Sequence, residues 1–229
     1  MAATLRYYEN AAEQGSPLGL YNLAVVYGSV EGVDQNFEES VRYFRMAAEK
    51  NFAPAQYALG ASYFYGTGVE KNLEDSFRYF KMAADQGYLE AANVVAKFYM
   101  EGWGVTQNQE KAVRYWEMAA ASGNVEAQYN LGVCYENGYG VDVDLRKAVG
   151  YFRKAADQGY AMAQYSLGES YEYGYGVDQN WSDAIRYYRE AASQGDANAL
   201  FKLAYCYGNG TGVDQDYTEA ARYCRRIIR

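Results

Sequence analysis

The chain contains no histidine. That removes the commonest general base and the commonest metal ligand among the side chains. Three cysteines cannot pair completely, so a disulfide framework is excluded. No apolar run approaches the ~20 residues that cross a bilayer, so no membrane partner is expected. The start, Met1-Ala2-Ala3-Thr4-Leu5-Arg6, lacks the apolar stretch of a signal peptide. Basic residues are outnumbered, 21 against 29 acidic ones, for a net charge of −8. Such a balance argues against nucleic acid as a partner, because binders of a phosphate backbone carry a basic face. Proline occurs twice, against 27 tyrosines and 23 glycines in 229 residues. A bias of that kind signals an internal repeat.

The repeat is 36 residues long. Ala-Ala recurs at 11–12, 47–48, 83–84, 119–120, 155–156 and 191–192. Tyr27, Tyr63, Tyr99, Tyr135, Tyr171 and Tyr207 form one column, and Tyr7, Tyr43, Tyr79, Tyr115, Tyr151, Tyr187 and Tyr223 another. Gly-Val follows the same step from Gly32-Val33 to Gly212-Val213. The chain therefore parses into a leading helix, 1–14, and six repeats at 15–50, 51–86, 87–122, 123–158, 159–194 and 195–229, in a single domain.

Each repeat reads as two helices. In 51–86 the spacing predicts one helix near 54–65 and a second near 73–86, the latter with Ser76, Tyr79, Phe80, Ala83 and Ala84 on one stripe. Gly66-Thr67-Gly68-Val69 stops the first helix. Asn36, Asn72, Asn108, Asp144, Asn180 and Asp216 stand at the N-cap of the second. Gly15, Gly87, Gly123, Gly159 and Gly195, with Asn51 as the exception, end it. The Ala or Gly column at 24, 60, 96, 132, 168 and 204 allows close helix approach, and tyrosine fills the space between layers. One such unit cannot bury its own apolar face, so the units must stack into an all-α solenoid, an α/α superhelix.

These residues resemble the Sel1-like repeat family. Its Leu-Gly-x-x-Tyr, Gly-x-Gly-Val and Ala-Ala-x-x-Gly steps stand here as Leu59-Gly60-Ala61-Ser62-Tyr63, Gly66-Thr67-Gly68-Val69 and Ala83-Ala84-Asp85-Gln86-Gly87. They recur at Leu131–Tyr135 with Gly138–Val141, and at Leu167–Tyr171 with Gly174–Val177. The tetratricopeptide repeat is the runner-up; its period is 34 and it lacks the glycine loop. Departures are Ala24, Ala96 and Ala204 for glycine, Val30 for the first loop glycine, and Ile227-Ile228 where Ala-Ala belongs. The secreted branch of the family carries a cysteine pair in each unit, and this chain does not. That favours a reducing, cytoplasmic compartment. Cys206 and Cys224 fall on the two helices of one repeat and read as packing residues.

Chemistry-bearing motifs are few. There is no nucleophile elbow, no phosphate loop and no metal-ligand spacing. The recurrent Gly-x-Gly follows a helix, which defeats a dinucleotide reading. The acidic loop pairs, such as Asp142 with Asp144, read as caps because the second member is always the N-cap. Arg42, Arg78, Arg114, Arg186 and Arg222 form a column that, with Glu38, Glu74 and Glu110 four residues earlier, reads as i,i+4 ion pairs on a solvated face. No cofactor is implied.

What remains is surface. The resemblance implies a non-enzymatic scaffold or adaptor for a partner protein or peptide. In solenoids of paired helices the first helix of each repeat lines the concave side. Helical spacing assigns columns 18, 22, 25 and 29 to that side, and from them Asn22, Tyr65, Lys97, Glu101, Asn130, Asn137, Glu169, Tyr173, Lys202 and Tyr205 are the candidate partner-binding residues. Tyr65, Tyr173 and Tyr205 are the expected anchors, since tyrosine is enriched at binding hot spots. Two alternatives stand beside this reading. The chain is a repeat segment of a larger protein, or it is a hydrolase using carboxylates such as Glu101 or Glu169. The end helices lack a polar outer face, which points to end-to-end self-association.

Overall fold

The structure is a computed structural model and describes residues 2–29 and 35–227. Val30, Gly32, Val33 and Ile228 lie outside the described residues. Thirteen α-helices and no strand occur among the described residues. The chain divides into two compact units, residues 1–118 and 119–229.

The N-terminal unit holds α1 (Ala2–Glu13), α2 (Pro17–Gly28), α3 (Phe37–Glu49), α4 (Ala53–Tyr65), α5 (Leu73–Asp85), α6 (Leu89–Glu101) and most of α7 (Gln109–Ala121). The C-terminal unit holds α8 (Val125–Asn137), α9 (Leu145–Asp157), α10 (Ala161–Tyr173), α11 (Trp181–Ser193), α12 (Ala197–Asn209) and α13 (Tyr217–Ile227). Even-numbered helices are the first helices of the repeats. Within the first unit α1 to α6 pack each on the next, and within the second α8 to α13 do the same. Each unit is thus an α/α solenoid of helix-turn-helix repeats about 36 residues long.

The caps do what the sequence asks of them. Oδ1 of Asn36, Asn72, Asn108, Asp144, Asn180 and Asp216 accepts a backbone N–H from the first turn of the helix that follows. The backbone N–H of each of those six residues also donates to the carbonyl of the Tyr27-column residue before it, at 2.8–3.0 Å. That bond closes every helix-turn-helix. The glycine loop has a steric reason as well. Gly68 has φ of +69°, and a Cβ there would meet the Phe37 carbonyl oxygen at 2.1 Å. The loop of one repeat therefore rests directly on the backbone that starts the second helix of the repeat before it.

The two tyrosine columns stack on each other. Tyr27–Tyr43, Tyr63–Tyr79, Tyr99–Tyr115, Tyr135–Tyr151, Tyr171–Tyr187 and Tyr207–Tyr223 have ring centroids 5.6–5.8 Å apart and planes within 21° of parallel. Each such pair contributes about 1 kcal/mol beyond the area it buries. Guanidinium groups cover the outer rings: Arg42, Arg78, Arg186 and Arg222 lie 3.9–5.4 Å from the centroids of Tyr43, Tyr79, Tyr187 and Tyr223. The same arginines bind acids three residues earlier, Glu39, Asp75, Asp183 and Glu219; for Arg42 and Arg78 these take the place of the expected Glu38 and Glu74 four residues earlier. The i,i+3 acid sits in the first helical turn beside the N-cap, so the arginine reaches it while still lying over the ring.

Small residues in the first helix receive rings from the second. A Cβ on Gly60 would lie 3.0 Å from the Phe80 ring, on Gly132 2.4 Å from Phe152, and on Gly168 2.5 Å from Tyr188. Leu59, Leu131, Leu167 and Leu203 are fully buried beside them, each contributing on the order of 2 kcal/mol. The two helices of a repeat are pinned to each other by polar bonds as well. Gln86 donates to Gln56 Oε1 at 2.5 Å, and Gln158 and Gln194 donate to Gln128 and Gln164 at 2.8 Å. The last two bonds lie in the C-terminal unit and the first in the N-terminal one.

Candidate functional site on the first-helix faces

In the N-terminal unit, Asn22 on α2 and Lys97 on α6 are half-buried, while Glu101, at the end of α6, is exposed. Tyr65 closes α4 and is 75% exposed. Its ring meets Phe64 edge to face at 5.0 Å, and Phe64 in turn packs on Phe98 and Trp103. The exposed tyrosine therefore stands on a fixed aromatic base. At α2, Gly28 occupies the place that Phe64 holds one repeat later. A hollow of about 360 Å³ opens there beside Val25, Phe37 and Phe44.

The C-terminal unit concentrates the polar candidates. Asn130 on α8 is half-buried, and Asn137 at its end is exposed, its Nδ2 donating to the Val133 carbonyl at 2.9 Å. Glu169 and Tyr173 on α10 and Lys202 on α12 come together. Lys202 Nζ lies 2.9 Å from Tyr173 Oη, 4.9 Å from the centroid of that ring and 3.8 Å from Glu169 Oε1. Tyr205, one turn further along α12, is 56% exposed.

Two members of this cluster escape a reading by columns. Glu172 is only 8% exposed, and its Oε2 accepts from Lys202 Nζ at 2.8 Å and from a short hydrogen bond donated by Tyr188. Burial pushes the Glu172 carboxyl up, but hydrogen bonds from Lys202, Tyr188 and Tyr173 outweigh it and hold the group below the usual carboxylate range. Burial works against the Lys202 charge too, and Glu172 and Tyr173 more than restore it, so its pKa is raised. Tyr188, buried and facing a carboxylate, is pushed well above the ordinary phenol. The sequence did carry a signal. Glu172 falls in a column with Gly28, Phe64, Met100, Glu136 and Gly208, and Tyr188 in one with Phe44, Phe80, Trp116, Phe152 and Cys224. An acid in a half-apolar column and a hydroxyl in an apolar one, in the same repeat, mark a pair.

Glu169 accepts from Tyr165 Oη at 2.8 Å. Burial keeps the Cys134 thiol at about 12 and the Cys206 thiol at about 11, so neither is a nucleophile at neutral pH. Cys224 is exposed, and all three thiols are free. Among the described residues no cluster of three or more His, Cys, Asp or Glu could hold a metal ion, and no helix is long and apolar enough to cross a membrane. The arrangement offers hydrogen bonds, a buried ion pair and rings.

Comparison with known proteins agrees with the repeat. The Sel1 repeat pattern matches at residues 3–16, 17–52, 53–88, 89–124, 125–160, 161–196 and 197–229. The chain is similar to the crystal structure of a protective antigen of uropathogenic Escherichia coli with an SLR fold, at 31% identity and a TM-score of 0.92 over 97% of this chain and 48% of that one. It therefore spans about half the length of that structure. It is also similar to a Sel1 repeat protein from Oxalobacter formigenes, at 28% identity and a TM-score of 0.82 over 94% of this chain and 86% of that one. An immunity protein from Pseudomonas aeruginosa shares the fold at 23% identity and a TM-score of 0.52, over 93% of this chain and 81% of that one. No curated protein matches the sequence. With a 36-residue period, paired helices and seven matched segments that cover nearly the whole chain, this protein belongs to the Sel1 repeat family.

Proposed function

We propose that this chain is a non-enzymatic adaptor that holds a partner protein or peptide along the face lined by the first helices. Sel1 repeat proteins are generally involved in protein–protein interaction, which supports the class of function. One observation carries the finer reading. Apart from Tyr7, the periodic tyrosines of the two long columns are stacked in pairs within the layers, whereas Tyr65, Tyr173 and Tyr205 on the first helices stand 75%, 49% and 56% exposed. Rings held in water by ordered helices lose little conformational entropy when a partner covers them. Asn22, Lys97, Glu101, Asn130 and Asn137 supply polar contacts around these anchors, while Glu169 and Lys202 enter through the cluster they already form. Three free thiols, two of them buried, fit a reducing compartment such as the cytoplasm.

The test is capture of partner protein by the immobilised chain, compared with a variant in which Tyr65, Tyr173 and Tyr205 are all changed to Ala. The expected result is loss of the captured protein with an unchanged circular dichroism spectrum. Equal capture by both chains would remove the anchor reading. A second reading, that the chain works as a repeat segment of a larger protein, draws support from its spanning about half of the E. coli structure. End-to-end association through α1 and α13 goes with it, because Tyr7, Tyr217 and Ile227 are exposed there. Light scattering that reads a monomer at every concentration argues against that association.

A further inference from the structure

The repeat supplies its own control experiment. In the C-terminal unit Glu172 on α10 is met by Lys202 on α12, thirty residues on. One 36-residue step earlier the same two places hold Glu136 on α8 and Ser166 on α10. The carboxylate is repeated and the ammonium is not. Among the described residues no lysine or arginine forms an ion pair with Glu136. Its hydrogen-bond partner is the Asn137 amide, at 3.5 Å.

The surroundings make this vacancy costly. Glu136 is half-buried, and burial together with the charge of Glu169 pushes its carboxyl up. Glu169 Oε1 accepts from Tyr165 Oη at 2.8 Å and stands 3.8 Å from a lysine that Glu172 already holds. Glu136 thus lies within the field of a second carboxylate, and the cation beside that second one is already held by Glu172. One repeat on, the chain shows what satisfies such a place: a primary ammonium set between Glu172 and the Tyr173 ring. At Glu136 the ring has no counterpart, because Asn137 stands where Tyr173 does, so a cation seated there gains from the carboxylates.

We propose that Glu136, Ser166 and Glu169 form a seat for a lysine or arginine side chain of the partner polypeptide, so that the segment recognised by the C-terminal unit is basic. This deepens the adaptor reading and rests on it. The chain's net charge of −8 would draw such a segment in at long range. The serine in place of lysine leaves the seat short of a side chain as well as of a charge.

The test pans a library of random peptides displayed on phage against the full chain. The selected peptide is then measured by fluorescence polarisation against the wild type and variants. The selected sequences are expected to be rich in Lys and Arg. Ser166→Lys, which supplies the missing ammonium from within, is expected to weaken the peptide about tenfold or more. Melting temperature should not fall, because the new ammonium meets the carboxylate that lacks one. Glu136→Gln should act in the same direction, and it serves as the readout should Ser166→Lys not fold. Changing the peptide's basic residue to Met should then cost nothing further in the Ser166→Lys chain.

Basic peptides that bind Ser166→Lys and Glu136→Gln as tightly as wild type overturn the proposal. So do selected peptides with no basic enrichment. If those peptides still lose affinity on Tyr173→Ala with Tyr205→Ala, the adaptor reading stands and only the basic seat falls. Peptides indifferent to every variant, or no selection at all, remove both.

Discussion

Lys202→Met tests the polar cluster directly. The change removes the ammonium 2.8 Å from Glu172 Oε2 and 3.8 Å from Glu169 Oε1 while keeping most of the aliphatic stem. The Lys202 and Glu172 side chains are 18% and 11% exposed, so solvent screens them weakly. At 2.8 Å and an effective dielectric of about 20, the gross attraction is ~6 kcal/mol. Desolvation of both ions offsets much of it, and breaking a buried pair costs ~3–5 kcal/mol in general. Tyr188 still donates to Glu172 after the change, so a loss of about 2–3 kcal/mol is expected.

The pH dependence has a definite sign. Glu172 is held below its ordinary pKa, so its contribution is present above an unfolded value of ~4.3 and is lost as pH falls through the folded one. Lys202 is raised, so its contribution is present below ~10.4 and is lost as pH rises through its folded value. The pair therefore works between those limits. In Lys202→Met the carboxylate keeps its burial without its cation, its folded pKa moves up, and the variant should gain stability as pH falls from 7 towards 5. Urea unfolding followed by circular dichroism reads the total. Hydrogen exchange in α10 and α12 reads it locally, as a solenoid's stability is largely a nearest-neighbour property. A loss under about 0.5 kcal/mol, or an equal loss in a Glu172→Gln background, would refute the coupling.

Three further outcomes follow from the same packing. A thiol reagent at pH 8 should titrate Cys224 quickly and Cys134 and Cys206 only on unfolding, since burial keeps the last two at about 12 and about 11; three fast thiols would contradict this. Gly123→Ala meets nothing within 4 Å, at φ of +91°, whereas a Cβ on Gly176, at φ of +69°, falls 2.2 Å from the Leu145 carbonyl oxygen. The first should cost ~1–2 kcal/mol from backbone strain alone and the second clearly more, read by urea midpoints, and equal midpoints would refute the loop-on-helix contact. Gln164→Leu should change stability by no more than about 1 kcal/mol, because its partner Gln194 is exposed to water and Leu20 and Leu200 already fill that column; a loss of several kcal/mol in thermal melts would show the amide bond to be essential.

The sequence by itself determined the period, the helix pairs and their ends. It could do so because those features are local. Asn72 caps whatever helix begins at Leu73, and Gly66 ends α4 by a left-handed turn that needs no distant partner. The helices predicted at 54–65 and 73–86 lie at 53–65 and 73–85. Columns also separated packing from surface well enough to leave Tyr65, Tyr173 and Tyr205 in solvent.

Only the tertiary structure decided which polar residues meet. Tyr188 and Glu172 are sixteen positions apart and Lys202 and Glu172 thirty apart. Those separations join neighbouring helices, and in each case the contact hangs on which of several side chains in a column is long enough and polar enough to reach across. The arginine column made the same point in miniature. Helical spacing allowed an acid three or four residues back, and the stacking of the guanidinium on tyrosine selected the former. A repeat fixes where every backbone atom must go, because each unit is copied onto the next. It leaves the chemistry of each interface to the few residues that break the pattern, and their meeting is a property of space rather than of spacing.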